Sequence, residues 1–180
     1  CTFTMKKLKN MNQNSKLFLL DAYALIYRAY YAFIKNPRIN SKGFNTSAIL
    51  GFVNTLEEVL KKLKEVGKQL VVATSKPEVF AREIIRYFHL DSYFSYVAGM
   101  ELDGGRGTKA EVIEYAIRSC GAEDRREVLM IGDRKHDVIG ARQAGIDCVG
   151  VLYGFGSEEE LKEAGAAGIA ASVEDILKYA

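Results

Sequence analysis

Two aspartates, a threonine–serine pair and a lysine stand where apolar runs of the sequence end or where helix-like segments begin. Asp133 and Asp137 follow the run VLMIG, Thr74 and Ser75 follow LVVA, and Lys109 opens a segment with helical spacing. Carboxylates are ligands for hard cations such as Mg²⁺. Hydroxyls and backbone N–H groups at a helix start bind anions. The set therefore predicts a site for a phosphate group and a magnesium ion.

Each of these residues also has a purely structural interpretation. Asp137 can favour the start of a helix through its charge alone. Thr74 or Ser75 can serve as a plain helix N-cap. Lys109 can be a surface lysine, although a cation at a helix start opposes the helix dipole and so favours a bound anion nearby.

Four further polar residues are predicted to have structural roles. We expect His136, between the two aspartates, to face solvent, because magnesium prefers oxygen ligands. Arg106 lies in the glycine-rich stretch DGGRG and is predicted to be a solvated loop residue. Ser157 and Glu160 have the spacing of a capping box, in which each would satisfy the backbone of the other.

Strand-like apolar runs alternate with helix-like segments along most of the chain. The predicted strands are residues 17–20, 69–73, 93–99, 127–132 and 148–153, with 168–172 as a last edge strand. The predicted helices are 22–34, a helix from Thr46 or Ser47 to near Gly67, then 77–88, 108–120, 136–145, 157–165 and 173–180. This alternation predicts a parallel sheet with helices on both faces and a ligand site at the carboxyl ends of its strands.

Composition limits the classes of protein that the chain can belong to. It has 180 residues, of which 48% are hydrophobic and 27% charged, which is typical of one globular domain. No apolar run approaches the roughly 18–20 residues of a membrane helix. The first residues lack the apolar stretch of a signal peptide, and we expect residues 1–13 to form a disordered leader.

Charge and cysteine usage say more about the surroundings of the protein. Residues 1–62 carry a net charge of +7 and residues 63–180 a net charge of −5. Such asymmetry occurs in segments that face nucleic acid, but a basic leader with solvated helix faces is the preferred interpretation. Three scattered cysteines without metal-ligand spacing favour a reduced, cytoplasmic protein.

Residues 55–180 resemble the haloacid dehalogenase-like hydrolases, and within them the phosphoglycolate phosphatase branch. The resemblance rests on VVATSKPEVFAREII, LDGGRGTKAEVIEYAI and VLMIGDRKHDVIGARQAGIDCVGVLYGFGSEEEL. It implies a three-layer, Rossmann-like α/β core that hydrolyses a small phosphate monoester with Mg²⁺. Thr74 would then bind phosphate, Lys109 would neutralise the phosphoryl charge, Asp133 would bind magnesium and Asp137 would support the metal site.

The beginning of the chain departs from that family pattern. In the family the first strand ends in Asp-x-Asp, whose first aspartate attacks phosphorus and binds magnesium while the second acts as general acid and base. Asp21 stands at the first position, after LFLL, but Tyr23 stands at the second. A tyrosine with a pKa near 10 is a poor substitute at neutral pH. The resemblance therefore implies Asp21 as nucleophile and metal ligand in an impaired enzyme.

Residues 14–60 resemble the start of the 5′-nuclease domain of bacterial DNA polymerase I, on the run KLFLLDAYALIYRAYYAFIKNPRINSKGFNTSAILGFVNTLEEVL. There, Asp21 would be a metal ligand and Arg28 would lie near substrate phosphates. The other nuclease carboxylates are not recognisable downstream, so nuclease activity is not expected.

The two resemblances predict a chimera joined near residues 54–63. Residues 14–62 would then pack into the same domain as the core of residues 63–180 and replace the family's helical cap with a short helical segment. An inert scaffold and a nucleic-acid-binding fragment are the alternatives to an enzyme.

Overall fold

The computed structural model describes residues 17–21 and 47–180. Within them, a six-stranded sheet has the order β3-β2-β1-β4-β5-β6, and every pair of neighbouring strands is parallel. The strands are β1 Leu17–Leu20, β2 Gln69–Pro77, β3 Tyr96–Met100, β4 Val128–Gly132, β5 Asp147–Val151 and β6 Gly168–Ala170. The described α-helices are α1 Ser47–Glu65, α2 Glu78–Tyr87, α3 Lys109–Cys120, α4 Lys135–Gln143 and α5 Glu158–Ala164.

Helices cover both faces of this sheet, because alternate residues of each strand point to opposite sides. Phe18 and Leu20 of β1 belong to a core cluster with α1, α2 and the C-terminal turn, whereas Leu17 and Leu19 belong to a second cluster with α3, α4 and α5. All four residues are at most 1% exposed. The predicted fold class, a three-layer α/β protein with a Rossmann-like parallel sheet, is confirmed.

The order of the strands places a switch point beside β1. From β1 the chain adds β2 and β3 on one side, and it then returns to add β4, β5 and β6 on the other. Ligands of doubly wound sheets bind where the strand order reverses, outside the carboxyl ends of the strands. Leu20 of β1 pairs with Ile131 of β4, so the residues that follow these two strands meet at that point.

Most predicted elements are present, and their ends are shifted by a few residues. The strand predicted over 69–73 continues to Pro77, with a register shift against β3 between Ala73 and Pro77. Pro77 is the residue before α2 and not part of its first turn. The helix predicted to end near Gly67 does so, because Gly67 adopts a φ of +80° that glycine tolerates best.

The last predicted helix, 173–180, is wrong in type. The chain forms a 3₁₀ helix over Glu174–Tyr179. Val173 and Ile176 are buried and Tyr179 packs against the same cluster. Their spacing of three residues matches the three residues per turn of a 3₁₀ helix.

The described residues cover only part of the predicted beginning of the chain. The predicted leader over residues 1–13 and the predicted helix over 22–34 lie outside them, as do Tyr23, Arg28 and Thr46. The helix predicted from Thr46 or Ser47 to near Gly67 corresponds to α1, whose residues Leu56, Leu60 and Leu63 pack on the sheet. Within residues 17–21 and 47–180, no helix combines the length and apolarity needed to cross a membrane.

Candidate functional site: a carboxylate cluster at the switch point

Three aspartates meet at the carboxyl ends of β1 and β4. Asp21 follows β1, Asp133 follows β4, and Asp137 lies in the first turn of α4. Each offers a carboxylate oxygen, and these oxygens lie within 4.8 Å of one another. The backbone N–H of Asp21 donates to the carbonyl of Ile131 at 3.0 Å, which extends the β1–β4 ladder to the site. All three aspartates are less than 10% exposed.

Asp137 closes the turn between β4 and α4. Its Oδ2 accepts hydrogen bonds from the backbone N–H groups of Asp133, at 3.0 Å, and Arg134, at 3.1 Å. A Cβ on Gly132 would lie 2.5 Å from Cγ of Asp137, so the absence of a side chain at Gly132 lets the carboxylate fold back over the strand end. The interpretation of Asp137 as a helix-start residue is thus correct but incomplete, because the same carboxylate also belongs to the cluster.

Lys109 reaches the cluster from the first residue of α3. Its ammonium group donates to Oδ2 of Asp21 at 2.7 Å and to the carbonyl of Ala73 at 2.9 Å. It also lies 2.7 Å from Oδ1 of Asp137. Burial works against the charged form of Lys109, but the carboxylates of Asp21 and Asp137 outweigh it and raise the pKa of the ammonium group.

The interpretation of Lys109 as a surface lysine is wrong, since its side chain is 5% exposed. Two features keep it in place. Thr108 caps α3, with a capping box to Glu111, and Gly140 of α4 packs against the lysine stem, where a Cβ would lie 2.9 Å from Cγ of Lys109. The carboxylates therefore offset the cost of a cation at a helix start.

Asp133 is held by the loop between β5 and α5. The N–H of Phe155 donates to its Oδ2 at 2.7 Å, and the N–H of Gly156 donates to its backbone carbonyl at 2.9 Å. A Cβ on Gly154 would overlap the Asp133 side chain, and one on Gly156 would overlap the Asp133 carbonyl. Sequence reasoning missed this loop, and its only signal is the GFG stretch that follows a predicted strand.

Burial is the main cause that raises the pKa of Asp133, and the neighbouring carboxylates of Asp137 and Asp21 add to the rise. The Phe155 amide opposes it by favouring the charged form. The described part of the cluster thus contains three carboxylates and one ammonium group. If all are ionised, two negative charges remain.

Thr74 and Ser75 are not helix caps. Helix α2 begins at Glu78 after Pro77, and no side chain caps it. Thr74 is 1% exposed, and its hydroxyl accepts from the backbone N–H of Lys76 at 3.3 Å. Thr74 and Ser75 line a cavity of about 290 Å³ together with Asp21, Lys76, Asp133, Arg134, His136, Asp137 and Phe155.

The predictions for His136 and Arg106 have different outcomes. His136 is exposed at the start of α4, as expected, and lines the rim of the cavity. Arg106 is not a solvated loop residue, because its side chain is only 17% exposed. It binds Glu78 and Glu101, donates to the carbonyl of Gly99 and stacks 3.8 Å from the ring centre of Tyr115.

The predicted capping box of α5 is only half formed. The hydroxyl of Ser157 accepts from the N–H of Glu160 at 3.1 Å. The carboxylate of Glu160 turns away from its own helix and accepts from the N–H of Lys135 at 2.9 Å and from Nε of Arg134 at 2.9 Å. These donors lie within reach of Glu160 because α5 packs beside the turn that carries Asp133. A local sequence pattern does not reveal such a contact between distant segments.

The donor set fits a hard divalent cation. The three side chains that could act as ligands are carboxylates, which suit magnesium better than they suit softer metals. Their excess negative charge in a buried setting also favours a cation. Fold and site together define a doubly wound α/β protein with an acidic, metal-competent cleft at its switch point.

The chain belongs to the haloacid dehalogenase-like hydrolase family, whose model matches residues 19–151. This match begins before Asp21 and includes all three clustered aspartates, Thr74 and Lys109. The 5′-nuclease resemblance over residues 14–60, and with it the predicted chimera, gains no support from the comparisons, and most of that stretch falls inside the family match.

Two curated relatives are similar to this chain over somewhat more than half of its length. The chain is 50% identical to a 5′-nucleotidase of Pseudomonas aeruginosa over 107 residues, 59% of this chain and 48% of that protein. It is 34% identical to a phosphoglycolate phosphatase of Neisseria gonorrhoeae over 100 residues, 56% of this chain and 42% of that protein. The chain thus spans less than half the length of these curated relatives.

A solved structure shares the fold over nearly its whole length. A predicted phosphatase of Clostridium acetobutylicum superposes with a TM-score of 0.71 at 32% identity. The match covers 92% of this chain and 97% of that structure.

Proposed function

We propose that this chain is a magnesium-dependent phosphate monoester hydrolase in which Asp21 is the nucleophile. The observation that carries the proposal is the position of Asp21, whose carboxylate lies 2.7 Å from the Lys109 ammonium and joins Asp133 and Asp137 in one cluster. Asp21, Asp133 and Asp137 would hold the metal ion. A bound Mg²⁺ supplies charge stabilisation for the phosphoryl group in transit.

Side chains of this protein would supply the nucleophile, the fixed positive charge and the phosphate-binding groups. Asp21 forms a bond to phosphorus through a carboxylate oxygen as the ester P–O bond breaks, which leaves an aspartyl-phosphate and an alkoxide. Lys109 keeps positive charge beside the reacting carboxylate, where fixed charge stabilises the transition state without reorganisation. Thr74 and Ser75 line the same cavity and would bind the phosphoryl oxygens. Water then attacks phosphorus, releases inorganic phosphate and restores the Asp21 carboxylate.

The proton for the leaving alkoxide is the weak point of this scheme. Tyr23 stands where the family resemblance implies an aspartic acid, and the alkoxide would therefore take its proton from solvent water. Absence of a positioned general acid costs about 10²–10⁴-fold in rate. We therefore propose slow turnover, with a metal- and phosphate-binding core without turnover as the second candidate.

The proposed substrate class rests on the two curated relatives described above. These relatives are a 5′-nucleotidase and a phosphoglycolate phosphatase, whose substrates are small phosphate monoesters. We propose the same class for this chain.

Hydrolysis of p-nitrophenyl phosphate, with and without Mg²⁺, tests the proposal. We expect magnesium-dependent release of nitrophenolate that Asp21→Asn abolishes. The matched control is Asp147→Asn, which alters an exposed aspartate at the first residue of β5, the end of that strand away from the site. Equal rates in wild type and Asp21→Asn would contradict the nucleophile assignment.

A second variant separates the two candidates. Tyr23→Asp restores the implied acid and should raise the rate by about 10²-fold or more. Magnesium and inorganic phosphate binding, measured by calorimetry, without turnover in either protein would instead favour the binding core.

A further inference from the structure

We infer that Glu160 is a positioning residue for the metal-binding turn, through which helix α5 sets the affinity of the site for its cation. This inference rests on the metal binding proposed above. Glu160 itself lies outside the carboxylate cluster. Its carboxylate contacts the turn that joins Asp133 to Asp137 and has no direct role in holding the ion.

Glu160 contacts two of the three residues between Asp133 and Asp137. Its Oε1 accepts from the backbone N–H of Lys135 and from Nε of Arg134, both at 2.9 Å. Lys135 is the first residue of α4, whose N–H lacks a partner within its own helix. A carboxylate there also interacts favourably with the helix dipole. Glu160 therefore stabilises the start of α4 from a neighbouring helix.

The same turn is fixed from inside by Asp137. Its Oδ2 accepts from the N–H groups of Asp133 and Arg134, while its Oδ1 lies against Lys109. Arg134 is thus held twice, by its backbone on Asp137 and by its side chain on Glu160. A change at Glu160 would loosen the segment whose two ends carry the metal-binding carboxylates.

The loop that leads into α5 is hydrogen-bonded to the same turn. Phe155 and Gly156 donate their backbone N–H groups to Asp133, and α5 begins two residues later. Leu161, next to Glu160, is completely buried against Gly150 of β5. Glu160 and this loop therefore form one clamp on the turn, in which the loop holds Asp133 and Glu160 holds Arg134 and Lys135. Leu161 anchors this clamp in the core.

Groups that orient metal ligands affect affinity although they do not touch the ion. Loss of such partners typically weakens metal binding about 10–100-fold. Coupling between sites is reciprocal, so a bound cation should in turn hold the clamp in place. We expect metal to slow hydrogen exchange at residues 153–160 in the wild type.

The test compares wild type, Glu160→Ala, Glu160→Gln and the control Glu163→Ala, an exposed glutamate of the same helix. Mg²⁺ affinity is measured by titration calorimetry, melting temperature by calorimetry without metal, and hydrogen exchange with and without Mg²⁺. We expect Glu160→Ala to bind Mg²⁺ about 10–100-fold more weakly and to lose the metal-dependent protection of residues 153–160. Glu163→Ala should behave as wild type.

Glu160→Gln keeps an oxygen that can accept from the Lys135 N–H but loses the charge that attracts Arg134. It should weaken binding less than alanine does, and it keeps the test valid if the alanine variant does not fold. A folded Glu160→Ala protein that binds Mg²⁺ within about twofold of wild type would overturn this inference alone. Absence of Mg²⁺ binding in the wild type would overturn the proposed metal site and the inference together.

Discussion

The ammonium group of Lys109 lies 2.7 Å from a carboxylate oxygen of Asp21, although the two residues are 88 positions apart in the chain. The same ammonium group lies 2.7 Å from a carboxylate oxygen of Asp137. One buried cation thus links the end of β1, the start of α3 and the first turn of α4. The link serves the fold as well as the site, because each partner would otherwise be a buried charge.

Removal of the lysine tests this structural role without any assay of activity. Lys109→Met leaves two buried carboxylates without their shared cation, and breaking a buried pair in this way costs about 3–5 kcal/mol. Urea unfolding in the absence of metal measures the loss. Lys62→Met is the matched control, because Lys62 pairs with Glu58 on the surface, where such pairs contribute less than about 1 kcal/mol. Equal losses in both variants would contradict the role of Lys109.

The fold and the centre of the site follow from local features of the sequence. Apolar runs such as VLMIG form buried strands, and a polar residue directly after such a run must lie at the carboxyl edge of a parallel sheet. This reasoning placed Asp21, Thr74 and Asp133 at one edge. All three lie there, although Thr74 belongs to the extended end of β2.

The supporting residues could not be predicted in the same way, because their partners are set by packing between distant elements. The spacing of Ser157 and Glu160 indicates a local capping box, yet Glu160 binds the start of α4, some 25 positions back in the chain. Arg106 has the sequence context of a solvated loop but is held by Glu78, 28 positions earlier. Neither contact can be inferred from a local periodicity of the sequence.

Asp133 should make the metal-free protein less stable as the pH rises. Burial raises the pKa of Asp133, so the folded state binds its proton more tightly than the unfolded state does. The resulting contribution to stability is present below the ordinary pKa of an aspartate, near 4, and is lost as the pH rises through the folded value. At neutral pH without metal, the charged carboxylate is a net cost.

Asp133→Asn removes that cost and should raise the melting temperature of the metal-free protein at pH 7. For a chain of this size, each kcal/mol of added stability corresponds to about 2–4 °C in melting temperature. If Mg²⁺ binds at the proposed site, it should raise the melting temperature of the wild type, and the same variant should lose that rise. Differential scanning calorimetry at pH 5 and pH 7 measures both effects, with exposed Asp147→Asn as control. A lower melting temperature of Asp133→Asn without metal would contradict the prediction.

Cys120 should resist alkylation in the folded protein. Burial raises the pKa of its thiol to about 11, and the thiolate is the reactive form. Relative to an ordinary thiol, with a pKa near 9, about 100-fold less thiolate is present at pH 8. Iodoacetamide labelling, located by peptide mass spectrometry, should be at least that much slower in buffer than in urea. Comparable rates in the two conditions would show that Cys120 is accessible.

Gly154 has no side chain and thereby makes room for that of Asp133. A methyl group there would overlap the aspartate side chain. Gly154→Ala should therefore displace the carboxylate from the Phe155 N–H, and overpacking of this kind costs about 1–3 kcal/mol. Because the displaced group belongs to the carboxylate cluster, Mg²⁺ affinity should fall together with stability.

Gly107→Ala is the matched control for this change. A Cβ on Gly107 would have its nearest neighbour 3.8 Å away, and the φ of Gly107 is outside the left-handed region. Alanine there should leave the free energy of unfolding within about 0.5 kcal/mol of the wild-type value and Mg²⁺ affinity unchanged. Urea unfolding and titration calorimetry of both variants separate the two positions. If Gly154→Ala matched Gly107→Ala in both measurements, close contact at Gly154 would have no part in holding Asp133.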